Sequence, residues 1–276
     1  MIRISKYSKA VAIAVCAAAL SMSACSRDAS TKIVVKGSTT VLPIIQKAAE
    51  EFHATKKISV SVSGTGSGDG IKSIIEGNCD IAMSSREMKP AELEKARAKG
   101  VKVAEIAIAY DMIVPVVNPK NPISQITLDQ LKAIYDGSIS TWNQVGGNKD
   151  NIVVVSRDTS SGTFEVWESK VMKKADVRKD ALLQASNGAV ASAVTSNPKA
   201  MGYVGFGYLN ASLKPLRVNG VEPTLENGKT GKYPISRKLY LYINESRLSA
   251  EAKSFVDYIL SQDGQKLVKA AGFIEL

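Results

Sequence analysis

The stretch IVVKGSTTVLPIIQKAAEEF (residues 33–52) decides the fold. Ile33–Lys36 is a short β-branched run, suited to a strand. Gly37-Ser38-Thr39-Thr40 then interrupts it, and Val41, Leu42, Ile44, Ile45, Ala48, Ala49 and Phe52 recur at helical spacing. Working outward, the same arrangement appears twice more. Ile58, Val60 and Val62 alternate with Ser59, Ser61 and Ser63, run into Gly64-Thr65-Gly66-Ser67-Gly68-Asp69-Gly70, and give way to Ile71, Ile74 and Ile75 on one helix face closed by Gly77. Ile152–Ser156 runs into Arg157-Asp158-Thr159-Ser160-Ser161-Gly162-Thr163 and a helix that starts near Thr163.

Between and beyond these junctions the alternation continues. Strands are expected at Ile81–Met83, Val101–Ile108, Met112–Val117, Met201–Val204 and Lys238–Ile243. Pro90–Lys99 reads as a charged helix, and Thr127 with Gln130 as a capping box opening a helix through Leu128, Leu131, Ile134 and Tyr135. Asn118-Pro119-Lys120-Asn121-Pro122 is a break, and a last amphipathic helix runs through Phe255, Ile259 and Leu260. Repeated strand–helix alternation predicts an α/β protein with mostly parallel sheets.

The chemistry lies at the junctions. Each combines glycine, which lets backbone approach a ligand, with hydroxyl side chains at a helix start, where free N–H groups and partial positive charge attract anions. In open α/β sheets such turns sit at the carboxyl ends of strands, where ligands bind. Three that converge would surround a tetrahedral oxyanion with donors, and Arg157 would add a formal charge and a bidentate fork. Each junction alone has a plainer reading, a capped helix.

Composition narrows the field. The chain has 276 residues, 45% apolar and 22% charged, a globular balance with length for one large or two medium domains. Three cysteines do not make a disulfide scaffold, and one histidine, His53, does not make a His-rich metal site. The formal charge is +10, but basic residues are interleaved with acidic ones on expected helices such as Ala91–Lys99 and Val171–Lys179, which reads as solvated surface, not a nucleic-acid face. No P-loop motif occurs.

Residues 1–24 read as an export leader. Arg3, Lys6 and Lys9 form a basic start and Ala10–Leu20 an apolar run too short to span a bilayer. Met22-Ser23-Ala24-Cys25 resembles a bacterial lipobox, which implies that Cys25 becomes the lipid-modified first residue; the competing reading is plain secretion with Cys25 free. Loss of the leader leaves a formal +7, and residues 25–31 become a short tether. Cys79 is expected to be a buried small residue.

With these residues in view the chain resembles the phosphate-binding proteins of bacterial phosphate ABC importers. The likeness is carried by Gly37-Ser38-Thr39-Thr40-Val41-Leu42-Pro43, Gly64–Gly68, Asp80–Arg86, Arg157 with Ser161-Gly162-Thr163, Gly202–Tyr208, Tyr233–Arg237 and Gly264-Gln265-Lys266. The resemblance implies a two-lobed type II periplasmic-binding-protein fold joined by two crossing hinge strands, near Tyr110–Val116 and Pro234–Leu241. Lobe I would then comprise 32–110 and 238–276, and lobe II 111–237. It further implies that phosphate is held by Ser38, Thr39, Thr40, Ser67, Ser85, Arg157, Ser161, Gly162 and Thr163 of a monomer that serves permease subunits, without cofactor or metal. Ser85 stands where several family members carry an aspartate that accepts the phosphate proton. Asp69 and Asp158 are the candidates to replace it, and Arg86 either adds charge to the pocket or pairs at the surface.

Two other readings compete. An exported oxyanion sensor would use the same pocket without transport. A serine hydrolase built on Ser161 lacks a G-x-S-x-G motif and has only His53 as a histidine base.

Overall fold

The computed structural model describes residues 32–276. The leader, the tether and Cys25 therefore lie outside the described residues. The chain begins with β1 (Lys32–Gly37), α1 (Leu42–Lys56), β2 (Ser59–Gly64), α2 (Ser67–Glu76), β3 (Ile81–Ser84) and α3 (Pro90–Ala98). β1 pairs in parallel with β2 on one side and β3 on the other. α1 buries Ile44, Ile45, Ala48, Ala49 and Phe52, the residues its spacing marked, and Phe52 meets Phe255 edge-on at 5.1 Å. Gly37 has φ +136°, and a Cβ there would lie 2.1 Å from the Met83 carbonyl oxygen. Only glycine lets β1 turn this close to β3.

β4 (Val103–Val117) is the long element of the molecule. Two strands were expected here, Val101–Ile108 and Met112–Val117; the structure runs them together. Tyr110 bridges to Ile274 and Asp111 pairs with Arg237, so the residues between the two expected strands are held in the ladder. Pro115 sits where the partner on one edge changes from β11 (Ser236–Asn244) to the short β9 (Lys214–Pro215).

The second half contains β5 (Gln125–Ile126), α4 (Leu128–Asp136), β6 (Val153–Arg157), α5 (Gly162–Trp167), β7 (Leu182–Gln184), α6 (Asn187–Ser196) and β8 (Ala200–Gly205). The short β10 (Arg217–Val218) pairs β5, and α7 (Leu225–Lys229) precedes β11. α8 (Ala250–Leu260) and α9 (Gln262–Ala270) close the chain. Thr127 and Gln130 make the expected capping box. The expected helix over Val171–Lys179 does not form. A π turn at Glu168–Met172 ends the α5 segment, and Lys173 and Lys174 take φ of 52° and 68°, which throws the chain out of the helix.

The strands join in the order β2-β1-β3-β11-β4-β8-β6-β7. Parallel pairing holds at both ends, while β11 and β4 run antiparallel to their neighbours as they cross between two cores. One core gathers Ile33, Ile45, Phe52, Leu241 and Phe255, with a smaller cluster around Ile71 and Tyr242 beside it. The other gathers Ile113, Tyr135, Trp167, Val190 and Tyr203. In the latter, Trp167 stacks on Tyr203 at 4.1 Å, and the Tyr203 hydroxyl contacts Ser156 Oγ and accepts from Arg157 N–H. Packing thereby fixes the end of β6, which carries Arg157.

Candidate functional site

The three junctions meet where the two cores face each other. Thr40 Oγ1 after β1 and Thr163 Oγ1 in α5 are 2.9 Å apart, across 123 positions of sequence. Ser67 Oγ at the start of α2 lies 3.2 Å from Ser85 Oγ and accepts Ser85 N–H at 3.0 Å. Gly162 closes the ring: a Cβ there would lie 2.4 Å from Ser67 Oγ and 2.9 Å from Ser85 Oγ. The hydroxyl oxygen of Ser38 accepts N–H of Thr40 and Val41, and that of Ser161 accepts N–H of Phe164. Side chains of Ser38, Thr39, Thr40, Ser67, Ser85, Arg157, Ser161 and Thr163 are each 4% exposed or less. The ring is shut from water.

Arg157 supplies its charge. Its Nε donates to the Gln184 carbonyl and its Nη2 to the Ala185 carbonyl, both at 3.0 Å. Asp158 stands off at 3.7 Å, and buried Nη1 has no hydrogen-bond partner among the described residues. Burial lowers the guanidinium below its ordinary value, against the pull of Asp158, but an arginine stays protonated.

Four further residues, none of them assigned to the pocket from the sequence, build the site, and of these Arg237 and Tyr208 lie within motifs that carry the family likeness. Arg237 donates through Nε to Asp111 Oδ2 at 2.9 Å, through Nη1 to the Ser85 carbonyl at 3.2 Å, and through Nη2 to Thr163 Oγ1 at 3.1 Å. Asp111 is wholly buried; burial raises its carboxyl above the usual value, while Arg237 and the N–H groups of Phe206 and Met112 pull it back. Asn187 Nδ2 reaches Thr39 Oγ1 and Thr40 Oγ1, and the Tyr208 hydroxyl donates to the Thr39 carbonyl. A signal for Asn187 was present: Ser186-Asn187-Gly188 is a fourth hydroxyl-and-glycine junction, between β7 and α6, and Ser186 caps the helix.

Other candidates fall elsewhere. Arg86 is neither a pocket charge nor a surface pair. It is buried, donates to both carboxylate oxygens of Glu92 at 2.7 and 2.8 Å, and lies 2.9 Å from Glu165 across the cleft. Asp69 is exposed, and Asp158 accepts from Ser160, so neither places a free carboxylate in the ring. Ser85 Oγ has Ser67 Oγ as its one hydrogen-bond partner among the described residues. His53 is exposed on α1 and contacts the Ile58 carbonyl. Cys79 is buried, which pushes its thiol up to about 12 and leaves it unreactive. A surface cavity of about 380 Å³ borders Arg86, Glu165, Lys170 and Arg237, and touches the ring only through Arg237.

A family model for a PBP superfamily domain matches residues 23–263. The phosphate-binding protein PstS of Staphylococcus aureus (strain USA300) is 34% identical over 254 residues, covering 86% of this chain and 76% of the relative. The chain belongs to the PstS-like family of phosphate-binding proteins. A phosphate ABC transporter substrate-binding protein of Clostridium perfringens, solved with bound phosphate, matches this PBP-superfamily chain with a TM-score of 0.84 and 35% identity, over 89% of this chain and 100% of its own. An ABC-type phosphate transport receptor from Vibrio cholerae gives 0.74 and 32%, over 88% and 100%. The two-lobed fold with crossing strands is that of these PstS-like relatives, and the family consists of substrate-binding proteins, not enzymes.

Proposed function

We propose that the chain captures inorganic phosphate in the closed ring and delivers it to the permease of an ABC importer. The observation that carries this reading is Arg157 Nη1, a buried charged donor beside the hydroxyl ring that no atom of the described residues satisfies. Leaving such a group unpaired costs more than the roughly 1–3 kcal/mol of a neutral donor, so the fold supports an anion as its partner. Ser38, Thr39, Thr40, Ser67, Ser85, Ser161 and Thr163 hydroxyls and the N–H groups near Gly162 complete the set. Family membership supports phosphate over other tetrahedral ions.

In this reading lobe I is 32–110 with 238–276 and lobe II is 111–237, with β4 and β11 as the hinge. Closure removes water and strengthens each contact to the ion. The monomer is held to the outer face of a membrane by a lipid on Cys25 and works as a phosphate scavenger. Calorimetric titration with phosphate, sulfate and molybdate across pH tests it: phosphate binds most tightly, and absence of phosphate binding rejects the assignment. Cys25→Ala releases the protein from membranes if the lipid anchor exists; continued membrane association rejects the anchor and leaves the pocket assignment standing.

A further inference from the structure

Donor and acceptor roles around the ring are fixed by groups that can play only one part. The Gly205 N–H at the end of β8 can only donate, and Asn187 Oδ1 accepts it at 3.1 Å. The amide of Asn187 is thereby oriented, and its Nδ2 hydrogens go to Thr40 Oγ1 at 3.0 Å and Thr39 Oγ1 at 3.2 Å. Arg237 is likewise donor-only. Asp111 holds it by Nε and Nη2, and Nη2 also reaches Thr163 Oγ1 at 3.1 Å and Thr40 Oγ1 at 3.4 Å. A hydroxyl oxygen that receives an N–H keeps its own proton to give elsewhere.

We infer that Asn187 and Arg237 are positioning residues that set the hydroxyl protons of Thr39, Thr40 and Thr163, so that this wall of the ring meets its anion as a donor only. One of Thr40 and Thr163 donates to the other across their 2.9 Å contact. The remaining proton and that of Thr39 point into the ring. The ligand class this wall takes is an ionised oxyanion oxygen; a ligand hydroxyl, such as the protonated oxygen of hydrogen phosphate, is turned away from it. The space behind the wall is equally tight, since a Cβ at Gly205 would lie 2.8 Å from Thr40 Cγ2.

The inference rests on the phosphate reading above, and the test separates the two. Asn187→Asp keeps shape but turns the donor into an acceptor, which draws the threonine protons away from the ligand. Phosphate affinity is expected to fall about a hundredfold at pH 8, since charge-assisted hydrogen bonds are lost. The ratio of variant to wild-type affinity then rises as pH falls towards 5, because the introduced carboxyl protonates and donates again. Arg157, Arg237, Asp111, Tyr203 and Tyr208 surround this wall in both proteins, so the ratio removes their titration and that of phosphate. Asn187→Ala is expected to lose about tenfold with a flat ratio. A flat ratio for Asn187→Asp, or wild-type affinity in it, overturns the inference while phosphate binding by the wild type keeps the functional reading. A wild type that binds no phosphate overturns both. The new carboxylate also repels the anion, which gives the same pH trend, so neutron diffraction of the deuterated wild-type phosphate complex decides, whether or not Asn187→Asp folds. Deuterons on Thr39 Oγ1, and on one of Thr40 and Thr163, directed at the anion support the inference; deuterons directed at Asn187 overturn it.

Discussion

Arg86 and Arg157 occupy like positions, each at the end of a buried strand and each almost wholly removed from water. Their surroundings differ. Arg86 is neutralised by Glu92, which takes two hydrogen bonds, and by Glu165, an ion pair without a linear hydrogen bond. Arg157 is held by two carbonyl dipoles, with Asp158 no nearer than 3.7 Å, and its Nη1 has no partner among the described residues. Burial by itself does not mark a ligand group. Nor does an unpaired nitrogen, since Arg86 Nε and Arg178 Nη1 also lack a hydrogen-bond partner among the described residues. Those guanidiniums are neutralised by Glu92, Glu165 and Asp180, whereas Arg157 has no carboxylate within hydrogen-bond distance and stands beside the hydroxyl ring.

The largest effect is expected at Arg157 itself. Arg157→Ala removes about 1.5–3 kcal/mol of binding, roughly tenfold to 150-fold in phosphate affinity by calorimetry. Arg86→Ala instead leaves two acids poorly paired, so its main effect is a lower melting temperature, and it costs at most the roughly fivefold in affinity carried by its bridge to Glu165. Equal losses of affinity in the two variants would erase the distinction. A smaller effect is expected at Glu165, which reaches Arg86 and Lys89 from the other side of the cleft. Glu165→Gln weakens the closed form by about 1 kcal/mol, about fivefold in affinity, through faster release in stopped-flow traces. Unchanged release would show that these ion pairs do not bridge the cleft in solution.

The smallest effect is on acid stability. Burial acts to raise the Glu92 carboxyl, but hydrogen bonds from Arg86 and the Lys89 backbone outweigh it and hold the folded value below the usual 4.5. A carboxyl depressed in this way adds stability above its unfolded value and loses it as pH falls through the folded one. Glu92→Gln therefore costs about 1 kcal/mol or less at pH 7, and thermal melts of variant and wild type draw together as pH falls below the carboxyl's usual 4.5. A gap independent of pH would refute the pairing.

What the sequence discloses follows the range of each interaction. The strand–turn–helix junctions are local, and their glycines and hydroxyls stand out within a few residues. The convergence of Ser67, Ser85 and Gly162 also follows, once parallel strands are inferred. Pairs such as Asp111 with Arg237 and Asn187 with Thr40 are separated by 126 and 147 positions, and no local pattern announces them. α9 was missed for another reason: Gln262–Ala270 is polar and buries only Gly264 and Val268. The sequence reads β4 as two strands, and the place of Asp111 in the ladder appears only when Arg237 arrives beside it.

The near-total enclosure of the ring has a kinetic consequence. With its lining side chains 4% exposed or less, an ion bound there in the proposed reading would leave when the two halves part. The dwell time is then a property of the bridging contacts, among them the Ser160 carbonyl on Gly68 N–H. Substitutions far from the ion can reset that clock without altering a single atom that touches it.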